Sequence, residues 1–289
     1  MPIPTKSLAN GFTIPVFGIG TWMMGGDFIH NPDNDDRADI AAIKTAIEMG
    51  VIHIDTAEKY AQGHAERLVA EAIKGFDRSK LFIVSKVASE NLKHPQVIES
   101  AKASLSRLQI SYLDLYLIHA PNPDVPVVET MQAMDILHSE GLIRNIGVSN
   151  FTIERLEKAQ ACTNNKIVAN QLHLNLIFRE PERKGLLAYC QTNDIMFIAW
   201  RPVQKGALTD HGTPLLDEMG TKYNKTPAQI AINWLISQPN VVTLSKMTRR
   251  QHLKENLGAL GWQMAEEDIE RLRREFPDQK NVSDAVPLI

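Results

Sequence analysis

Eight short apolar runs recur along the chain, and stretches of helical period separate them. The runs are Phe17–Thr21, Val51–Asp55, Phe82–Lys86, Leu113–His119, Ile143–Val148, Ile167–Leu172, Ile195–Trp200 and Val241–Ser245. Their length and branched side chains predict strands, while the segments between them gather apolar residues on one helical face. ADIAAIKTAIEMG is closed by Gly50 and HAERLVAEAIKG by Gly75, because glycine accepts the left-handed turn that ends a helix. PQVIESAKASLSRL opens at Pro95, and TPAQIAINWLISQ opens on Thr226 with Pro227 behind it, an N-cap followed by a residue suited to the first turn. Ahead of the first run, Asn10-Gly11 marks a β-hairpin.

Strand and helix alternating eight times predict an α/β fold, a (β/α)8 TIM barrel with an N-terminal β-hairpin. A doubly wound open sheet is the rival. The barrel is preferred because no glycine-rich dinucleotide fingerprint follows the first run, and polar residues collect at the ends of many runs. No repeat, low-complexity tract or linker stands out, so residues 1–289 are expected to form a single domain. Side chains alternate along a strand. Val51, His53 and Asp55 therefore share a face, as do Phe82, Val84 and Lys86, and likewise Leu113, Leu115, Leu117 and His119. Each row is largely apolar until its last member, which suits the top layer of a barrel interior. Tyr60 closes the stretch VIHIDTAEKY.

Composition narrows the class. The chain has 289 residues, 44% hydrophobic and 22% charged, with a net charge of -3; it is ordinary for a soluble globular protein and has no basic block for nucleic acid. Cys162 and Cys190 are its two cysteines, so no disulfide framework is implied. No apolar leader or membrane-length stretch is seen. A cytoplasmic protein, monomeric or a small homo-oligomer, is expected, with no nucleic-acid or membrane partner.

If Asp55, Tyr60, Lys86 and His119 meet, they can transfer a proton. A phenol titrates at about 10, and lowering it to about 7 takes roughly 4 kcal/mol of phenolate stabilisation. Lys86 can supply much of that, with Asp55 keeping the ammonium charged. Tyr60 would then protonate a carbonyl oxygen that His119 orients. Each residue alone reads more readily as a cap, a loop aromatic, a solvated strand end or a core histidine; the four together reverse that preference. A metal-dependent hydrolase would need converging ligands. No His-x-His follows the first run, so no metal is expected in the chemistry.

The motifs also resemble the aldo-keto reductase family over most of the chain. NGFTIPVFGIGTW (Asn10–Trp22) is similar to its hairpin and first strand, HIDTAEKY carries its Asp and Tyr, VSK its Lys and IHAP its His. IGVSNF (Ile146–Phe151), Asn170-Gln171 and LKENL (Leu253–Leu257) are similar to its cofactor segments. The resemblance implies reduction of a small aldehyde or ketone by NADPH, with NADH possible. Tyr60 would be the general acid, with Asp55, Lys86 and His119 supporting it, and Trp22 would wall the substrate site beside Tyr60 and His119. Gly20, Thr21 and Asp55 would line the cofactor, Ser149, Asn150 and Gln171 would hold the carboxamide, and Trp200 would stack on the nicotinamide. Arg201, Gln204 and Lys205 would wrap the pyrophosphate. Lys246, Thr248, Arg249, His252, Glu255 and Asn256 would hold the adenosine end. There Thr248 and Gln251 form a capping-box pattern, so a helix is expected to start with Thr248 as its cap. Met247 replaces a frequent Ser or Thr, His252 replaces an Arg, and AQGHAE follows Tyr60 where Gly is more usual. Met23, Met24 and Phe28 suggest an apolar rim, and HNPDNDDR a polar loop that could fold over the mouth. The alternative is a nucleotide-binding regulatory protein on the same barrel.

Overall fold

The structure is a computed structural model that describes residues 3–288. An antiparallel hairpin, β1 (Thr5–Ser7) and β2 (Thr13–Pro15), pairs Ser7 with Thr13 and Thr5 with Pro15. Gly11 turns it with φ +89°, a conformation that L side chains resist. Eight further strands follow: β3 (Phe17–Gly20), β4 (His53–Asp55), β5 (Phe82–Val87), β6 (Leu115–Ile118), β7 (Ile146–Ser149), β8 (Ile167–His173), β9 (Met196–Trp200) and β10 (Val241–Ser245). They close in sequence order, with β10 beside β3. This is the expected (β/α)8 barrel with its hairpin.

The helices are α1 (Asp36–Glu48), α2 (His64–Ile73), α3 (His94–Leu108), α4 (Val127–Ser139), α5 (Ile153–Gln160), α6 (Glu180–Arg183), α7 (Leu186–Thr192), α8 (Pro214–Tyr223), α9 (Pro227–Ile236), α10 (Arg250–Leu257) and α11 (Glu266–Glu275). α9 starts as its sequence demands: Gln229 N donates to Thr226 Oγ1 at 3.4 Å, and Thr226 N donates to Gln229 Oε1 at 3.1 Å. α10 does not. Its N-cap is Arg249, in extended backbone and with no side-chain cap, so Thr248 lies one residue outside the expected position. The pattern of types was right there and the register was not. Both cysteines are free.

The chain forms two compact units, Gly18–Asn170 and Met1–Phe17 with Gln171–Ile289. In the first, interior packing crowds two strand glycines. A Cβ at Gly18 would stand 2.6 Å from Nδ1 of His53, its partner in the β3–β4 register, and one at Gly147 would stand 2.5 Å from Leu117 Cδ2. Behind β5, buried Glu66 accepts from Ser85 Oγ and Arg107 Nε, each at 2.6 Å. In the second unit, Lys6 donates to the carbonyls of Ile236, Gln238 and Val241 at 2.5–2.7 Å. The C-terminal segment is tied to α6: Glu180 accepts from the backbone N–H of Ser283 at 2.8 Å and of Leu288 at 3.1 Å.

Candidate active site

Asp55 ends β4, Lys86 lies near the end of β5, and His119 follows β6, its N–H continuing the ladder to Val87 O at 2.9 Å. Strand alternation thus delivers three of the four polar groups. Tyr60 arrives differently. It stands five residues beyond β4, at the start of a 3₁₀ turn whose next residues, Ala61 and Gln62, have φ of 47° and 54°. Left-handed backbone at two successive L residues costs roughly 1–2 kcal/mol each. Ala61 N–H is held by Asp27 O at 2.7 Å, and the bend turns the phenol back towards the strand ends.

Lys86 is fully buried, which dismisses a solvated strand end. Its ammonium has three protons and three partners: Asp55 Oδ1 at 2.6 Å, Thr56 O at 2.9 Å and Tyr60 Oη at 3.2 Å. Because the phenol oxygen accepts from Lys86, its own proton is left for another acceptor. Burial works against the ammonium, but the Asp55 carboxylate and Tyr60 outweigh it and hold Lys86 above the ordinary lysine value. Burial also raises the Tyr60 phenol above its usual value; Lys86 opposes this and Asp55 reinforces it. Lys86 pulls the phenol down, as expected of a cation in contact, but burial outweighs it and the net shift is upward. A dry site disfavours phenolate, and the Asp55 carboxylate acts in the same direction. The phenol keeps its proton at neutral pH and has a cation in contact.

His119 packs edge-on to the Tyr60 ring at 5.5 Å. Burial first, then the charges of Lys86 and Lys59, hold its imidazole well below the ordinary histidine value, so it is neutral and can donate one hydrogen bond. Its Nδ1 is buried without a hydrogen-bond partner among the described residues. Trp22, half-buried, meets the Tyr60 ring at 5.0 Å and Phe28 at 4.6 Å. Met23 and Phe28 are exposed as the apolar rim requires, but Met24 is fully buried and belongs to the core.

The cofactor candidates divide. Gly20 pairs with Asp55, and Thr21 donates from its N–H and its hydroxyl to Asp55 O at 2.9 and 3.1 Å. Ser149 ends β7. Asn150, at φ 60°, donates to His119 O and Ser149 Oγ, each at 3.0 Å. That leaves Asn150 Oδ1 buried with no partner among the described residues. Gln171 is buried in β8. In the same unit Trp200 stacks on His173 at 4.1 Å and 8°. His173 hydrogen-bonds Gln204 Oε1 at 2.9 Å and Ser283 Oγ at 2.8 Å, and Gln204 donates to Asp284 at 3.1 Å. Arg201 pairs with Asp284 at 3.2 Å. Lys205 is exposed. Lys246, Thr248, Arg249 and His252 are exposed around the start of α10, Glu255 is half-buried, and Asn256 is buried. Met247, which breaks the family pattern, is buried.

Sequence reasoning passed over three contributors. Thr56 acts through its carbonyl, which residue identity never reveals. Lys59, a loop cation, adds to the field on His119. His173 organises a network with the C-terminal segment, and its place at the end of an apolar run was an available signal.

The family model described as the aldo/keto reductase family matches residues 16–274. Methylglyoxal reductase YeaE of Escherichia coli is 33% identical over 272 residues, covering 93% of each chain. Glyoxal reductase of Bacillus subtilis is 34% identical over 270 residues, covering 93% of this chain and 91% of its own. Among solved structures, an aldo-keto reductase of Klebsiella pneumoniae in complex with NADPH superposes with a TM-score of 0.84 at 31% identity, covering 98% of each chain. A thermostable aldo-keto reductase bound to the inhibitor epalrestat reaches 0.89 at 42% identity, over 93% of this chain and 98% of its own.

Proposed function

The chain belongs to the aldo-keto reductase family, and from that premise we propose that it reduces small aldehydes and ketones with NADPH, dicarbonyls such as methylglyoxal among them. The observation that carries this reading is the Lys86 ammonium bonded at once to Asp55, Thr56 O and Tyr60 Oη. NADPH supplies the hydride when bound. Tyr60 gives up its phenolic proton to the developing alkoxide, and Lys86 in contact stabilises the phenolate left behind. Neutral His119 donates to the carbonyl oxygen and steers it to the phenol. Trp22 and Phe28 exclude water from one side of the reacting group.

The residues present fit the cofactor's carboxamide. Buried Asn150 Oδ1 lacks a donor among the described residues, and an amide N–H₂ would meet that need. Ser149, Asn150 and Gln171 are the proposed carboxamide ligands, with Gly20, Thr21, Trp200, Arg201, Gln204 and Lys205 along the cofactor. The cations Lys246 and Arg249 at the start of α10 favour a 2′-phosphate. The whole chain is proposed to act as one catalytic domain in the cytoplasm, as a monomer or small oligomer. A regulatory barrel is not favoured, since the named relatives are reductases.

The test is a panel of aldehydes, ketoses and dicarbonyls, followed by loss of reduced-nicotinamide absorbance. Wild type should turn over, and Tyr60→Phe should lose about 100- to 10,000-fold in kcat with its NADPH Kd unchanged. Retention of most of kcat would remove Tyr60 as the acid.

A further inference from the structure

We propose that His30, Asp36 and His64 form a binding site for a divalent transition metal of the zinc class, which pins the loop carrying Trp22 and Phe28 against the turn that starts at Tyr60. The three side chains come from three places: the loop after β3, the first residue of α1 and the first residue of α2. Their ligand atoms all lie within 4.8 Å of one another. His64 Nε2 is 2.6 Å from Asp36 Oδ2, and the His30 and His64 rings lie 4.0 Å apart, tilted by 36°.

Tetrahedral zinc with ligands at about 2.0–2.2 Å sets them roughly 3.3–3.5 Å apart. The His64–Asp36 pair must open slightly and His30 must draw in to meet that spacing. Two imidazoles and one carboxylate select zinc, nickel, cobalt or copper over magnesium and calcium, which prefer oxygen alone. The fourth position would be water.

The carboxylate is already oriented from behind. Asn34 Nδ2 donates to Asp36 Oδ1 at 2.9 Å and to buried Asp39 Oδ2 at 2.8 Å, and Asp39 Oδ2 also accepts from Gly25 N at 3.0 Å. Such outer partners fix ligand direction in metal sites. Gly25 lets the loop approach: a Cβ there would stand 2.8 Å from His64 Cδ2. His64 lies four residues after Tyr60, so an ion held here would couple the loop to the acid's own turn. The His64–Asp36 hydrogen bond alone is the plain competitor, and it predicts no metal affinity.

The test uses the full chain, stripped with chelator and titrated at constant pH with zinc alone, then with cobalt as a spectroscopic probe. One equivalent of zinc should bind, and cobalt should give visible d–d bands. His64→Ala and His30→Gln should each weaken zinc binding by at least about tenfold, and Asn34→Ala by a smaller factor; His30→Gln, on a loop, serves if the helix-start variant folds poorly. Equal zinc affinity in wild type and both histidine variants, or no binding by wild type, overturns the site. Zinc should also lower kcat/KM in wild type and leave it unaltered in His30→Gln. This last effect rests on the reductase reading: absent turnover without zinc would sink that reading, whereas absent zinc binding sinks only the site.

Discussion

At Tyr60 the proposed chemistry depends on one oxygen accepting from Lys86 while keeping its own proton. The pH profile tests that balance. The phenol lies above its ordinary value and His119 well below its own. The acid form of Tyr60 and the neutral form of His119 should therefore coexist from about pH 6.5 to about pH 9. The expected kcat/KM profile is flat across that span and falls only at higher pH, as Tyr60 loses its proton. A decline centred near neutrality would show that the phenol is acidified after all. The residue types were legible in the strings HIDTAEKY, VSK and IHAP. Thr56 O was not, because every residue carries a carbonyl and only position singles one out.

Among the elements, the turn between β4 and α2 carries two successive left-handed residues, Ala61 and Gln62. Gln62 is exposed, so Gln62→Gly should remove about 1–2 kcal/mol of strain and, against glycine's entropic cost of about 0.5–1 kcal/mol, raise stability by roughly 0.5–1 kcal/mol; urea unfolding measures it. A loss of stability would mean the turn relaxes in solution. Behind β5, Glu66→Ala would leave Arg107 and Ser85 without the carboxylate they share. Removing one partner of a buried pair costs about 3–5 kcal/mol, so the midpoint should fall without any change in NADPH affinity. Element order was readable from periodicity, and Thr226 capped its helix as its sequence predicts. The same capping pattern at Thr248 failed. Local hydrogen-bonding preference selects among nearby helix starts, and the surroundings choose the one that is used.

Across the molecule, the C-terminal segment and His173 set an acid limit on stability. Burial, the largest cause, lowers His173 to about 4, against about 6.5 for an unfolded histidine. Between those values the unfolded chain binds the extra proton. The stabilisation is present in full above pH 6.5, and is lost as pH falls towards 4, by about 3 kcal/mol. His173→Phe should flatten that limb of the stability curve while shifting the neutral-pH value for separate packing reasons. An unchanged acid slope would assign the loss to other groups.

Periodicity by itself determined the strand and helix order, because side-chain alternation and helical period are local properties of a chain; the absent glycine-rich fingerprint and the polar residues at the run ends turned that order towards a barrel. Tertiary structure decided the direction in which the phenol titrates, the triple bonding of Lys86 and the meeting of His30, Asp36 and His64. Those depend on burial and on separations of a few ångströms between distant residues, and the spacing of letters in a sequence does not carry such distances.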